Sequence, residues 1–156
     1  KCKWVVDELG FDACVDYREA GLFKALRAEC PDGIDVYFDN VGGTVLETVL
    51  ALMNEKGRIA CCGAISQYDT KAPTGPRNLP GLVVVKRLRM EGFIVMDFAD
   101  DDAKAIRALQ TWVRSGQIKV TEDVVEGLEN APKALIGLLA GDNKGKRMVR
   151  VTADPS

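Results

Sequence analysis

The sequence predicts an α/β fold in which helices alternate with parallel strands. Two short apolar runs, Ile34–Phe38 and Arg58–Cys62, have the length of strands, and each is followed by a turn that contains glycine. Between them, the run TVLETVLALMNEKG is typical of a helix. These segments form a β-turn-α-β unit, and the alternation extends to both sides of it.

The ends of the two runs define a candidate ligand site. In an open parallel sheet, ligands bind at the carboxyl ends of the strands, where the loops diverge. We therefore expect Asn40 with Gly42 and Gly43, and the segment from Gly63 through Tyr68, to face one crevice.

Before this unit, the sequence predicts a helix, a strand and a second helix. Lys1–Leu9 is the helix, ended by Gly10, and Ala13–Tyr17 is the short strand. Leu22–Cys30 has apolar residues at helical spacing, and Pro31 to Gly33 forms the turn that ends it. The buried stripe of this second helix should comprise Leu22, Phe23, Ala25, Leu26 and Cys30.

After Tyr68 the sequence predicts a loop, a helix and a strand. Asp69–Pro80 contains three prolines and a glycine, so we expect a loop over the mouth of the crevice. Leu82–Arg89 should be a short helix, and its basic residues suit the negative C-terminal end of the helix dipole better than they suit phosphate binding. Met90–Met96 should be a further strand.

The last third continues the alternation. We expect an amphipathic helix over Asp100–Ser115, a strand over Ile118–Val125 and a helix that starts at Asn130 and runs to Ala140. Lys146–Thr152 alternates as a last strand.

Composition restricts the class of protein. The chain has 156 residues, 47% of them hydrophobic, and on size alone would be one domain. A net charge of −2 favours neither nucleic acid nor an anionic membrane as partner, and no apolar run approaches the roughly 20 residues of a transmembrane helix. The five cysteines and the lack of a signal-like segment indicate a cytoplasmic protein with reduced thiols, and the absence of histidine disfavours a metal site. The first residue is Lys1, which suggests a piece of a longer protein.

Several strings resemble one enzyme family. ELGFDACVDY, CPDGIDVYFDNVGG, CGAISQY, RMEGFIV, VVEGLENAPKALIGLLAG and NKGK are similar to the zinc-independent medium-chain dehydrogenase/reductases. Within that family they resemble the NADP-dependent alkenal and prostaglandin (leukotriene B4 12-hydroxydehydrogenase-like) reductases, in order over Lys1–Val151.

The resemblance implies an incomplete Rossmann-type parallel sheet flanked by helices. Residues 1–117 would be the C-terminal part of an NADP-binding domain, and 118–156 a segment returning to a GroES-like substrate domain. That substrate domain and the glycine-rich loop would precede Lys1, and relatives form homodimers. In the strand order 3-2-1-4-5-6, strands Ala13–Tyr17 and Ile34–Phe38 would lack a neighbour. We therefore expect isolated Lys1–Ser156 to associate, or to be accompanied by the rest of the protein, and to bind NADPH poorly.

The resemblance also implies which residues bind NADP. Lys1 matches the lysine at the 2′-phosphate and Tyr17 a tyrosine at the same end, while Asn40 matches an asparagine near the ribose and pyrophosphate. The nicotinamide half would contact the segment Cys62, Gly63, Ala64, Ile65, Ser66, Gln67 and Tyr68, the strand end Phe93, Ile94 and Val95, and Asn143. From the residues alone, Tyr17 is an aromatic at the rim of the core, Asn40 a turn residue and Cys62 a small buried apolar residue.

The reaction implied is reduction of the C=C bond of an α,β-unsaturated aldehyde or ketone, with hydride from NADPH. Tyr68 is the candidate catalytic residue because its phenol could donate to the substrate carbonyl oxygen; the alternative is an aromatic that only lines the pocket. Asp69, where many relatives have asparagine, and the loop Thr70–Asn78 depart from the family pattern. Other functions left open are a quinone oxidoreductase-like enzyme and a non-catalytic nucleotide-binding module, whereas a methyltransferase-like domain is disfavoured by NVGG and CGAISQY.

Overall fold

A computed structural model describes residues 1–68, 71–73 and 75–152. Contacts divide the chain into two compact units, Cys2–Asp100 and Asp101–Ser156, the latter together with Lys1. In both units parallel strands are joined by helices, which confirms the predicted α/β class. None of the helices in the described ranges has the length and apolar character needed to cross a bilayer.

The first unit contains a three-stranded parallel sheet. Its helices and strands, in chain order, are α1 (Cys2–Leu9), α2 (Leu22–Glu29), β1 (Ile34–Asp39), α3 (Gly43–Leu52), β2 (Met53–Cys61), α4 (Leu79–Lys86) and β3 (Arg89–Gly92). Short 3-10 helices cover Ile65–Gln67 and Val95–Asp101. The sheet order is β1-β2-β3, with Asp39 opposite Cys61 and Cys61 opposite Gly92, so the three strands end at one level.

The core of this unit lies between the sheet and its helices. It is built from the buried side chains of Leu46, Val49, Leu50, Met53, Ile59 and Leu88. Alternation along β1 places Val36 and Phe38 on the other face of the sheet, where they are 59% and 58% exposed. One face of the sheet is therefore covered and the other is open.

The second unit is built around a pair of parallel strands. Its elements are α5 (Asp102–Arg114), β4 (Glu122–Glu126), α6 (Ala131–Ala140) and β5 (Lys146–Arg150), with a 3-10 helix at Leu128–Asn130. β4 pairs with β5 in parallel and α6 connects them, a β-α-β unit. Ala134 of α6 is buried.

Most predicted elements are confirmed, but the strand at Ala13–Tyr17 is wrong. These residues form no strand in the structure, because β1 hydrogen-bonds to β2 alone and no described segment supplies a ladder for them. Phe23 is also half exposed rather than part of a buried stripe on α2.

The helix predicted between the two central strands ends five residues earlier than expected. α3 ends at Leu52, and Met53 already has the extended dihedrals of β2. Ile34 pairs with Met53 and Val36 with Arg58, so a bulge accommodates residues 54–57. Asn54 favours this arrangement because its Nδ2 donates to Asp32 O at 3.0 Å and to Asp35 Oδ1 at 2.9 Å.

Other boundaries shift by a few residues. α4 begins and ends three residues earlier than predicted, since Pro80 suits the first turn and Arg87 adopts a left-handed conformation at the C-terminal end. β3 ends at Gly92, so Phe93 to Val95 lie beyond the strand. β4 starts at Glu122 and β5 ends at Arg150.

The predicted loop after Tyr68 is described in part. Asp69, Thr70 and Thr74 lie outside the described residues. The described positions from Lys71 to Asn78 contain neither helix nor strand, as expected.

Candidate functional site

An open crevice of about 670 Å³ lies at the carboxyl ends of the strands in the first unit. From the strands, their turns and the start of α3 it is lined by Asp39, Gly42, Gly43, Leu46, Cys61, Cys62, Gly63, Ala64, Gln67, Tyr68 and Met90, and from the following loop by Pro73, Gly75 and Pro76. Its volume is within the range of small-molecule and cofactor sites, about 300–1,000 Å³. Both predicted turns contribute lining residues, but Asn40, Ile65 and Ser66, which were also expected to face the crevice, are not among the residues that line it.

Backbone hydrogen bonds join the turn after β2 to the turn after β1. The carbonyl of Asp39 accepts from Cys62 N at 2.8 Å and from Gly63 N at 3.2 Å. The carbonyl of Val41 accepts from Ser66 N at 3.1 Å and from Ser66 Oγ at 2.6 Å. The second turn is therefore fixed to the first by main-chain groups, and its position follows from where β1 ends.

Asp39 organises the first turn, a role that the sequence analysis missed. Its side chain is 2% exposed, and Oδ1 accepts from Tyr37 OH at 2.9 Å, Val41 N at 3.1 Å and Gly42 N at 2.9 Å. Burial, followed by this bond to Asp39, raises the pKa of Tyr37. The signal in the sequence was an aspartate two residues before an amide it can accept from, the pattern of an Asx turn.

Gly42 and Gly43 allow the two turns to approach closely. Gly42 has φ 69° and ψ −154°, a region that residues with a side chain rarely enter. A Cβ on Gly42 would lie 3.1 Å from Ala64 Cβ, and one on Gly43 would lie 2.8 Å from Ser66 Oγ and from Gln67 Nε2. Both positions need glycine.

Polar groups of Asn40 and Tyr68 meet beside Gly63. A Cβ on Gly63 would lie 2.7 Å from Asn40 Oδ1 and 3.1 Å from Tyr68 OH. The Tyr68 oxygen accepts from Ala64 N at 3.2 Å, so its proton is directed to another acceptor. Tyr68 is 69% exposed, which places this donor at the surface of the crevice.

Gln67 presents a buried acceptor that has no partner among the described residues 1–68, 71–73 and 75–152. Ser66 Oγ donates to Val41 O, so it must accept from Gln67, which identifies the Gln67 atom facing it as Nε2, at 3.0 Å. Gln67 Oε1 is then buried and accepts no hydrogen bond from the part of the chain that the structure describes. An N–H or O–H of a ligand would satisfy it, and a dinucleotide offers both in its carboxamide and ribose groups.

Cys62 is exposed and lines the crevice, so its interpretation as a small buried residue is wrong. The neighbouring Cys61 is partly buried, and burial, followed by the charge of Asp39, raises the pKa of its thiol.

Other predicted site residues of the first unit lie away from the lining of this crevice. Tyr17 is 56% exposed on a segment without regular structure. Phe93 N donates to Cys61 O at 3.3 Å, and the Phe93 ring lies 6.0 Å from that of Phe38 and 6.3 Å from that of Phe98. Ile94 and Val95 are exposed. Within the described residues, none of these four lines the crevice.

Two predicted residues belong to the second unit. Lys1 Nζ donates to Gly141 O at 2.6 Å. Asn143 Nδ2 donates to Gly145 O at 2.7 Å, which stabilises the turn before β5. Their contacts with a cofactor stay predictions.

No zinc site is assembled by the described part of the chain. In residues 1–68, 71–73 and 75–152, no group of three or more histidine, cysteine, aspartate or glutamate side chains is arranged to hold a metal ion. The sequence contains no histidine, the commonest nitrogen ligand. These residues therefore do not fit a zinc ion.

Comparisons with known proteins identify relatives of the whole chain. A family model described as zinc-binding dehydrogenase matches residues 9–149. The chain is 42% identical over 159 residues to the NADPH-dependent curcumin reductase of Escherichia coli strain K12, with 99% of this chain and 46% of that protein covered. It is 46% identical over 145 residues to prostaglandin reductase 1 of Rattus norvegicus, with 92% and 44% covered. It is 45% identical over 148 residues to the NADP(+)-dependent 2-alkenal reductase of Nicotiana tabacum, with 94% and 43% covered.

Solved structures show the same similarity. The crystal structure of CurA in complex with NADPH from Vibrio vulnificus superposes with a TM-score of 0.89 at 40% identity, covering 98% of this chain and 47% of that one. The Escherichia coli quinone oxidoreductase complexed with NADPH gives a TM-score of 0.71 at 20% identity over 86% of this chain and 42% of that one, which shows a shared fold. The chain spans less than half the length of the curated relatives described above.

Proposed function

The chain belongs to the zinc-binding dehydrogenase family, and from this premise we propose that it forms the cofactor-binding part of an NADP-dependent reductase of α,β-unsaturated aldehydes and ketones. The observation that carries the proposal is the crevice at the ends of three parallel strands, between two turns joined by their main chains. The names of the relatives support the substrate class, since they describe reductases of a 2-alkenal, of curcumin and of a prostaglandin.

The cofactor would be held mainly by the two turns. Gly42 and Gly43 allow the two turns to approach each other, and Gln67 Oε1 offers an acceptor for a carboxamide or ribose donor. When bound, NADPH supplies the hydride for the reduction. We further propose that Lys1, Tyr17, Asn40, Asn143 and the segments Cys62–Tyr68 and Phe93–Val95 contact it in the full-length protein.

Tyr68 would stabilise the reacting substrate. Its hydroxyl accepts from Ala64 N and keeps its proton for a substrate carbonyl oxygen, on which negative charge develops during reduction. The Asn40 side chain, which approaches the same point beside Gly63, would help to position the substrate or the ribose. A tyrosine that only lines the crevice is the alternative.

The wider organisation is also a proposal. Residues 1–117 would be part of the cofactor-binding domain, and 118–156 would return to a substrate-binding domain. The full-length protein would be a cytoplasmic homodimer that binds small enones and enals. Five free thiols support the cytoplasmic location.

Reduction of a simple enone by the full-length protein tests the proposal. We expect NADPH consumption, followed at the nicotinamide absorbance, when an enal or enone is added. The enal or enone, and not a quinone, should be the preferred substrate. The Gly63→Ala variant should lose about 10-fold or more in kcat/KM, because a Cβ there displaces the Asn40 amide and the Tyr68 hydroxyl.

The matched control is Gly92→Ala, since a Cβ on Gly92 meets no atom within 4 Å and its backbone is not left-handed. Gly92→Ala should retain the wild-type kcat/KM. If the protein binds NADPH but reduces no enone, the proposal of an enone reductase is rejected and the non-catalytic nucleotide-binding module is supported. Preference for a quinone would support the quinone oxidoreductase-like alternative.

A further inference from the structure

We propose that Asp39, oriented by Tyr37, is a positioning residue that sets the affinity of this crevice for NADPH by holding both turns in their binding conformation. The inference rests on the proposed function, since it concerns the same crevice. It assigns a role to two side chains that neither the strand-end rule nor the family resemblance singled out.

Burial of the Asp39 carboxylate has a cost in free energy. Asp39 is 2% exposed, and a buried charge is unfavourable unless hydrogen bonds compensate for the lost water. Its Oδ1 accepts from the Tyr37 hydroxyl and from the amides of Val41 and Gly42, at 2.9 to 3.1 Å. Hydrogen bonds to a charged acceptor are stronger than neutral ones, so this oxygen is a strong constraint on the turn.

The main chain of Asp39 also fixes the turn after β2. The Asp39 carbonyl accepts from Cys62 N and Gly63 N, where the chain leaves β2. A shift of Asp39 at the end of β1 would therefore move both sides of the crevice. Its side chain holds the amides of Val41 and Gly42 in the first turn, and its main chain holds the start of the second.

The conformation of the turn after β1 affects the affinity of the crevice for NADPH. Gly42 adopts φ 69° and ψ −154° in the structure, yet glycine has many other conformations open to it. Without an acceptor on Asp39, the amides of Val41 and Gly42 lose their partner and the turn populates other conformers. A ligand that binds only one conformer loses affinity in proportion to that conformer's population.

The alternative is that the negative charge itself matters, and an isosteric variant separates the two. Asp39→Asn keeps an oxygen that can accept from the Val41 and Gly42 amides but removes the charge. Asp39→Ala removes both. Positioning predicts that asparagine rescues what alanine loses, whereas a requirement for charge predicts that asparagine and alanine behave alike.

The experiment combines two measurements on the full-length protein. NADPH affinity is titrated by the fluorescence of the reduced nicotinamide, and amide hydrogen exchange is measured at Val41 and Gly42 without ligand. For Asp39→Ala we expect about 10- to 100-fold weaker NADPH binding and faster exchange at both amides. Asp39→Asn and Tyr37→Phe should each stay within about 5-fold of wild-type affinity.

Asp35→Asn is the matched control. Asp35 lies on the same strand, but its side chain is exposed and accepts from Asn54, away from the turn. It should leave affinity and exchange at Val41 and Gly42 unchanged. Circular dichroism before each titration identifies any variant that does not fold. If Asp39→Ala is one of these, Asp39→Leu replaces it, because leucine fills the same buried space without an acceptor, and the same loss of affinity and faster exchange are expected.

The outcomes are distinct. Wild-type affinity in a folded Asp39→Ala variant, or loss of affinity without faster exchange at the two amides, overturns the inference. Equal losses in Asp39→Asn and Asp39→Ala also overturn it, in favour of charge. Failure of the wild-type protein to bind NADPH rejects the proposed function instead, and the exchange data then still report whether Asp39 holds the turn.

Discussion

Lys86 links two helices through a single ammonium group. Its Nζ donates to Leu50 O at 3.1 Å, Ala51 O at 2.8 Å and Met53 O at 2.8 Å, the carbonyls at the end of α3. From the sequence, this lysine compensates the dipole of its own helix, α4, but in the structure its charge lies at the C-terminal end of α3. Burial lowers the pKa of Lys86.

Replacing Lys86 by methionine should destabilise the first unit by about 1–3 kcal/mol, because partly buried carbonyls lose their donor while most of the apolar stem remains. Urea unfolding followed by circular dichroism measures the change in the free energy of unfolding. Lys24→Met on α2, an exposed position, should change it by less than about 0.5 kcal/mol. Equal effects of the two substitutions would mean that the bonds to α3 contribute nothing.

The residues of the crevice were predictable to different degrees. Gly42, Gly43, Gly63 and Tyr68 follow from one rule, that loops at the carboxyl ends of neighbouring parallel strands face each other. Asp39 was missed because, as the last residue of a strand, it gives no periodic signal and its importance depends on three-dimensional contacts. The cofactor contacts proposed for Phe93, Ile94 and Val95 rest on the family resemblance alone.

Among the elements, the pair β4 and β5 shows how a charge pair fixes strand register. Asp123 and Arg147 are directly opposite each other, and Arg147 donates to Asp123 Oδ2 from Nε at 3.0 Å and Nη2 at 2.8 Å. The amide of Lys144 donates to the same oxygen at 3.1 Å. The Lys144 amide, then the Arg147 guanidinium, lower the pKa of Asp123.

This lowered pKa predicts acid sensitivity of the second unit. A carboxyl group with a lower pKa in the folded state stabilises the fold above its unfolded pKa of about 3.9, and that contribution disappears as the pH falls through the folded value. Between pH 5 and pH 2 the wild-type chain should therefore lose more stability than Asp123→Asn. Urea unfolding at a series of pH values measures the difference.

Glu122→Gln, at an exposed position on the same strand, is the control and should follow the wild-type pH dependence. If Asp123→Asn has the same pH dependence as the wild type, then the bonds to Lys144 and Arg147 do not favour the charged carboxylate.

Elements were predicted where local signals decide them. α6 begins directly after Asn130 and has Pro132 in its first turn, and both residues mark a helix start in the sequence. The prediction of a strand at Ala13–Tyr17 was wrong because a strand needs a hydrogen-bonded neighbouring strand, which the local sequence does not specify. The change from α3 to β2 at Met53 was hidden because Met53, Glu55 and Lys56 have high helix propensity, so the sequence gives no strong stop signal before Gly57.

At the scale of the whole molecule, the open face of the first unit's sheet has a physical consequence. Parallel sheets are normally covered on both faces, yet Val36 and Phe38 are exposed here. The purified chain of 156 residues should therefore associate at micromolar concentration, and Val36→Lys should reduce the association. Sedimentation velocity over a dilution series measures it.

Val85→Lys provides the comparison, since Val85 is also exposed but lies on α4. It should leave the association unchanged. A chain that sediments as a monomer at every concentration would show that the exposed face does not drive self-association.

The crevice is lined partly by the loop that follows Tyr68 and partly by the ends of the strands. Pro73, Gly75 and Pro76 line it from positions without helix or strand, whereas Asp39, Cys61 and Met90 line it from strands that the buried core supports. Engineering of substrate range can therefore exchange that loop for a relative's without repacking the interior, so this fold can diversify its chemistry at small thermodynamic risk.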